Sequence, residues 1–349
     1  MITNILSKLT KQMELTSEEI SGLIRAINED KISPVQIAGF QVALMMKGPT
    51  LAEVSAIAQA MRDNCIQLSP NVPGDLMDTC GTGGGLSTFN ISTAVAIVAA
   101  AAGIPVAKHG SRSISSLSGS ADVLEALDVA INLDPADASK MMEDIGIAFL
   151  YAPLFHPVMG KVLPPETELG IKTIFYTIIG PLINPAGAKL HLMGVYKPEL
   201  LETVSQVARN LGYRRGLFVH GADGLDEISL LGPTLIHELR DGEITRYEIT
   251  PEQFGLSRCT IADIATGTPA ENAHTIRQVF AGIDKGPRRD SILLNAAGAL
   301  YVGGLAESIA EGLIMAAGLI DSGKARAKLQ QLSETSNMYA GKKREKEPA

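Results

Sequence analysis

The sequence predicts an α/β protein, in which a small all-helical N-terminal domain precedes a larger domain with a central, mostly parallel sheet covered by helices. Three observations carry that prediction. The first 65 residues or so show apolar positions at helical spacing, with capping signals and no strand-like run. From Leu76 onward, short apolar runs alternate with helix-period segments. Gly103, Gly146 and Gly212 stand where those helices have to stop, the strand–helix–strand rhythm of a parallel sheet.

Taken in order, Thr16 with Glu19, Ser33 with Gln36 and Thr50 with Glu53 have capping-box spacing, Pro34 sits in a first turn, and Gly48 ends a helix. Ile20, Leu23, Ile24 and Ile27 recur at helical spacing, as do Val54, Ile57, Ala58 and Met61. Pro70 and Pro73 mark a linker. Strands are expected over 76–80, 105–107, 129–131, 147–151, 190–195 and 217–220, and helices over 93–102, 122–127, 135–145 and 199–211. Residues 152–187 break the rhythm with six prolines, reading as an excursion back to the helical domain that walls a cleft. The expected domains are therefore 1–70, joined by helices from about 165–182, and 71–336, followed by a disordered charged tail over 337–349.

Composition narrows the function. The 349 residues are 46 % hydrophobic but only 4 % aromatic, with no tryptophan, which suits an aliphatic helix-on-sheet core. A net charge of −8 argues against a nucleic-acid binder. The longest apolar run, Ala94–Ala102, is too short to span a bilayer, and no signal-peptide pattern opens the chain. Three scattered cysteines form neither a disulfide framework nor a thiolate metal pattern, so a cytoplasmic location is expected.

The chemistry is concentrated between Asp78 and Asp122. Two glycine-rich loops, Gly81–Gly85 and Gly110–Gly119, flank one Ala/Val helix. Glycines let backbone N–H groups converge, and a following helix N-terminus supplies unpaired donors, so each loop suits an anion. Lys108 and Arg112 add charge to the second. Neither G-x-G-x-x-G nor G-x-x-x-x-G-K-[ST] is present. A phosphorylated small molecule is the ligand class indicated.

Gly81-Thr82-Gly83-Gly84, Asn90-Ile91-Ser92-Thr93-Ala94, Lys108-His109-Gly110 and Ser118-Gly119-Ser120-Ala121-Asp122 resemble the anthranilate phosphoribosyltransferase family. Phe149–Pro153, Gly180–Pro185 and Asp226-Glu227 continue the resemblance in the same order. The resemblance implies a Mg2+-dependent transfer from phosphoribosyl pyrophosphate to anthranilate, within tryptophan biosynthesis, by a homodimer joined through the helical domain. It assigns substrate contacts to Gly81, Gly84, Thr88, Asn90, Ser92, Thr93, Lys108, His109, Gly110, Ser111, Arg112, Ser115, Ser116 and Ser120, with Glu166 at the acceptor. Asp226, Glu227 and Ser92 are the implied Mg2+ ligands, and no acid–base residue is assigned.

Four positions depart from the family pattern. Gly85 replaces an aspartate in a loop one residue shorter, Ser111 replaces an asparagine, Leu117 a lysine, and Glu166 the arginine that pairs with the anthranilate carboxylate. Either Lys161 or Lys172 substitutes for that arginine, or the acceptor is not anthranilate. Two other readings stay open at this level: the same donor with another aromatic amine or N-heterocycle, and a non-catalytic paralogue binding a nucleotide or nucleic acid.

Overall fold

A computed structural model describes residues 1–113 and 117–344. Four helices come first: α1 (Ile2–Leu9), α2 (Ser17–Asn28), α3 (Pro34–Lys47) and α4 (Leu51–Asp63). All three expected capping boxes form at α2, α3 and α4, and Gly48 takes a φ of 78° just past α3. The alternating region follows as β1 (Met77–Asp78), α5 (Ile91–Ala101), β2 (Val106–Gly110), α6 (Ser120–Ala126), α7 (Pro135–Ile145) and β3 (Ile147–Tyr151). The excursion contains α8 (Ala152–Phe155), α9 (Met159–Leu169), a π-helical turn over Phe175–Ile179 and α10 (Gly180–Leu182). Then come β4 (Leu190–Gly194), α11 (Leu200–Asn210), β5 (Arg215–Gly221), β6 (Thr234–Arg240) and β7 (Glu243–Ile249). Helices α12 (Ile261–Ile264), α13 (Pro269–Phe280), α14 (Pro287–Val302), α15 (Ile309–Asp321) and α16 (Lys324–Arg344) close the described chain.

Among the described residues, the seven strands form one sheet in the order β3-β2-β1-β4-β5-β6-β7. The first five are parallel, and β6 and β7 are added antiparallel. The chain winds outward from β1 to β3, then returns to β4 on the other side of β1. Their carboxyl ends therefore diverge and leave a crevice, the usual ligand position in such sheets.

Two hydrophobic cores lie on opposite faces. One face is covered by α5, whose residues Thr93–Ala100 are all buried, with α14, α15 and α16 over it. The other core joins Ile5, Leu23, Ile27, Phe40 and Ile57 of the N-terminal helices to Val162, Phe175 and Ile178 of the excursion. It also includes Met193, Val204 and Phe218 from the sheet and α11.

Three expectations need correction. Val129–Ile131 is not a strand: Val129, Ile131 and Leu133 are buried in the core, but Ala130 N–H donates to Ser336 Oγ of α16 at 2.9 Å instead of to a neighbouring strand. The β6–β7 hairpin and every helix after it were not anticipated. The charged tail does not begin at 337, because α16 continues to Arg344 with Tyr339 buried and its hydroxyl on Asp144. Residues 345–349 lie outside those described.

Candidate active site

The crevice is built first by close backbone approach. Gly194, the last residue of β4, carries the Asp226 carbonyl against its Cα, where any side chain would collide. A Cβ on Gly81 would meet the Gly194 carbonyl at 3.0 Å. Thr82 N–H donates to that carbonyl at 2.9 Å, while Thr82 Oγ1 accepts Tyr196 N–H at 3.0 Å. The loops after β1, β4 and β5 are thus locked together at the point where strand order reverses.

Gly83 and Gly84 then turn the loop at φ values of 62° and 88°, which favour glycine. Gly83 N–H donates to the Asp226 carboxylate, and a Cβ on Gly84 would meet the Tyr196 ring at 3.5 Å. Gly85 explains how the shortened loop closes. A Cβ there would meet the Gly224 carbonyl at 2.6 Å and Asp226 Oδ1 at 3.1 Å, and Leu86 N–H donates to Gly224 O at 3.1 Å. Thr88 pairs with Ala265, and Asn90 enters α5 in the left-handed region at φ 64°.

Thr79 Oγ1, just past β1, donates to Ser92 O of α5 at 2.9 Å, and Ser92 N–H is directed to the Glu227 carboxylate. Lys108, 3 % exposed on β2, places Nζ 3.3 Å from Thr79 O and 3.4 Å from Ser92 Oγ. Among the described residues, no carboxylate lies within ion-pairing distance of it. Thr93 Oγ1 is buried without a hydrogen-bond partner.

Asp226 and Glu227 are half-buried side by side. Burial raises the Asp226 carboxyl above its ordinary range. Burial and then the adjacent Asp226 charge push Glu227 up to about 8, against the opposing pull of Lys108 and Ser92 N–H. Two crowded carboxylates beside a serine hydroxyl form an all-oxygen donor set that gains from a small hard dication, and this fits Mg2+. A second trio, Asp78, Cys80 and His109, also has ligand atoms within 4.8 Å of one another. Asp78 is already saturated there, accepting from Thr79 N–H, His109 N–H, the Cys80 thiol and Asn184 Nδ2.

The second loop divides. Gly110 is fixed by Ser120 Oγ, which lies where its Cβ would be, and Ser120 Oγ donates to Ser111 O at 3.3 Å. Ser111 Oγ donates to Arg112 O. His109 faces His156 with Nε2 atoms 3.1 Å apart. Burial pushes His109 down to about 4 and lowers His156 as well, so both rings are neutral at physiological pH. Arg112 is exposed and held by Glu125 at 2.6 and 2.9 Å and Asp122 at 2.9 Å, with its charge over the Tyr151 ring. In this arrangement it clamps the second loop to α6. Ser115 and Ser116 lie outside the described residues.

Glu166 lies between α9, α3 and the segment before Phe175. It is 1 % exposed, accepting from Gln41 Nε2 at 3.0 Å, Thr173 N–H at 3.3 Å and Thr173 Oγ1. It ties α9 to α3 and to the turn before Phe175. The lysines expected to compensate are engaged elsewhere, Lys161 with Asp30 and Asn28 O at 2.7 Å each and Lys172 over the Tyr176 ring at 4.6 Å.

Sequence reasoning missed Tyr196, Asp78 and Asn272. The Gly194-Val195-Tyr196 strand end was a usable signal, since a switch point is flanked by two strand ends. Nothing local to Asn272 points to the loops it reaches.

Comparison with known proteins follows the same outline. Residues 3–65 match the profile described as "Glycosyl transferase family, helical bundle domain", and residues 73–326 match "Glycosyl transferase family, a/b domain". The anthranilate phosphoribosyltransferase of Acetivibrio thermocellus is 47 % identical over 340 residues, spanning 97 % of this chain and 98 % of the relative. The crystal structure of the anthranilate phosphoribosyltransferase from Thermus thermophilus matches with a TM-score of 0.89 at 39 % identity, over 95 % of this chain and 99 % of that one. The Saccharomyces cerevisiae enzyme in complex with PRPP and Mg matches at 0.87 and 27 % identity, over 97 % of this chain and 98 % of that one.

Proposed function

The chain belongs to the anthranilate phosphoribosyltransferase family of glycosyl transferases, and from that premise we propose that it transfers the phosphoribosyl group of phosphoribosyl pyrophosphate to the amine of anthranilate. In this reaction, a step of tryptophan biosynthesis, the C1–O bond to pyrophosphate breaks, a C1–N bond forms, and the amine loses a proton. The observation that carries the reading is the convergence at the sheet's switch point of a glycine-built loop, the α5 N-terminus, Lys108 and the Asp226-Glu227 pair.

Backbone N–H groups of the Gly81–Leu86 loop and the α5 N-terminus hold anionic oxygens, and Lys108 supplies a buried positive charge beside them. Asp226, Glu227 and Ser92 would hold Mg2+, which would supply further positive charge to the departing pyrophosphate. His109 and His156, neutral and buried, line the second loop without adding charge that would oppose the developing cation at C1. No general base is assigned. Positioning and leaving-group electrostatics carry the rate.

A homodimer through the helical domain is part of the same reading. On α3, Val35, Met45 and Met46 are exposed, with Ala38, Gly39 and Val42 half-covered between them, an apolar stripe at helical spacing. The compartment we assign is the cytoplasm, in keeping with three unpaired cysteines. No helix among the described residues is long and apolar enough to cross a membrane. Incubation with phosphoribosyl pyrophosphate, anthranilate and Mg2+, read as pyrophosphate release, tests the activity. Release with other aromatic amines but none with anthranilate would overturn the acceptor.

A further inference from the structure

Asn272, at 1 % exposure in the first turn of α13, reaches the loop before that helix and, through Asn90 at the entry of α5, the second glycine-rich loop. Its Oδ1 accepts Gly267 N–H at 2.8 Å. A backbone N–H can only donate, so this bond fixes which end of the amide is oxygen. The Nδ2 end then donates to Asn90 Oδ1 at 2.9 Å and to Thr266 Oγ1 at 3.1 Å.

The polarity passes on through Asn90. Its Oδ1 takes Asn272 Nδ2 and Ser118 Oγ, the latter at 3.0 Å, and its Nδ2 therefore donates to Ser118 O at 3.1 Å. Ser118 belongs to the second loop, and Asn90 is the last residue before α5. The segment bearing Thr266 is also fastened to the stretch that leads from the first loop into α5, through Thr266 N–H to Ser87 O at 3.1 Å and the Thr88–Ala265 bridge. Asn90 holds a left-handed backbone that residues other than glycine seldom adopt, and its side chain has a single orientation compatible with all three bonds.

We propose that Asn272 is a positioning residue: by fixing the amide orientation of Asn90 it sets the spacing of the two loops, and so governs affinity for the phosphoribosyl pyrophosphate donor and not for the acceptor. This rests on the donor reading given above.

Asn272→Asp keeps the acceptor for Gly267 N–H but turns an oxygen toward Asn90 Oδ1. Calorimetric titration of phosphoribosyl pyrophosphate with Mg2+ into wild type, Asn272→Asp, Asn90→Ala and the double variant tests the coupling. Asn272→Asp is expected to weaken donor binding about tenfold in wild type and less than about twofold on the Asn90→Ala background. In turnover, the donor KM rises correspondingly while the anthranilate KM stays within about twofold. Equal losses on both backgrounds, or both KM values rising together with a lowered melting temperature, overturn the positioning role. Should Asn272→Asp not fold, Ser118→Ala, which removes one donor to Asn90 Oδ1, has to weaken donor binding about threefold, and unchanged binding overturns the proposal. A wild type that takes no phosphoribosyl pyrophosphate overturns the donor reading and this proposal with it, whereas binding unaltered by Asn272→Asp overturns the proposal alone.

Discussion

Glu166→Arg separates a packing role from an acceptor role. By resemblance alone, the arginine restores the family's partner for the anthranilate carboxylate and improves the KM. The structure reverses that expectation. Glu166 is surrounded by donors, namely Gln41 Nε2, Thr173 N–H and Thr173 Oγ1, and a guanidinium offers them only more donors. Losing three hydrogen bonds at about 1 kcal/mol each costs about 3 kcal/mol. An unpaired charge in the same 1 % exposed site adds roughly 3 kcal/mol more. A loss of about 6 kcal/mol is a large part of a typical stability of roughly 5–15 kcal/mol. At about 2 °C per kcal/mol for a chain this long, the melting temperature falls by roughly 12 °C. Glu166→Gln keeps the shape and one acceptor oxygen, and should cost about 1 kcal/mol. Differential scanning calorimetry of both variants, with anthranilate kinetics at 25 °C, is the assay. A Glu166→Arg protein melting within about 2 °C of wild type with a lowered anthranilate KM would show that the side chain reaches the cleft, and the packing argument would be wrong.

Lys108→Met should weaken phosphoribosyl pyrophosphate binding by about a hundredfold, since it removes the buried cation, whereas Arg112→Ala should change it less than about threefold because Asp122 and Glu125 already occupy that guanidinium. Calorimetry showing equal losses would return Arg112 to the cradle. Asp226→Asn with Glu227→Gln should abolish turnover without lowering the melting temperature, because burial already disfavours both charges; full turnover at saturating Mg2+ would remove the pair from the metal role. Gly85→Asp should reduce donor affinity, as its side chain would meet Gly224 O and Asp226; a donor KM equal to wild type would refute the tight closure. His109, His156 and His191 are buried with lowered proton affinity, His109 at about 4 against an ordinary 6.5. The unfolded chain therefore binds protons below about 6.5 that the folded chain refuses, and stability falls on acidification from about 6.5 towards 4, by up to about 1.4 kcal/mol per pH unit for each ring. Urea unfolding at pH 7 and pH 5 checks the sign, and a protein more stable at pH 5 refutes it.

Local signals were legible wherever the chain decides its own conformation. The capping boxes at Thr16, Ser33 and Thr50 formed because each needs only four consecutive residues. The glycine-rich loop and the Asp226-Glu227 pair were legible too, but their meeting was not, since it depends on Gly194 admitting the Asp226 carbonyl. Val129–Ile131 has strand composition, yet strand pairing needs a neighbour, and α16 supplies its hydrogen bond instead. The β6–β7 hairpin did have a signal, Asp241-Gly242, whose φ values of 50° and 89° make the tight turn that Asp-Gly favours. Its strands carry too many charged residues to read as apolar runs. The partners of Glu166 were not legible, because alignment transfers a position along the chain, not the direction in which the side chain points. Asn272 reaches a partner 182 residues away, a distance at which no pattern in the sequence operates.

The second hydrophobic core has a consequence for synthesis on the ribosome. Ile5, Leu23, Phe40 and Ile57 are complete in the chain by residue 57, but their partners Phe175, Met193, Val204 and Phe218 are translated much later. At about 5–20 residues per second, the N-terminal helices wait roughly ten to thirty seconds with that face uncovered. During this interval the nascent segment is a target for chaperones and for neighbouring nascent chains. A gene fragment ending near residue 65 would prolong the wait indefinitely, and its product should be recovered in aggregates unless those sheet residues are supplied in trans.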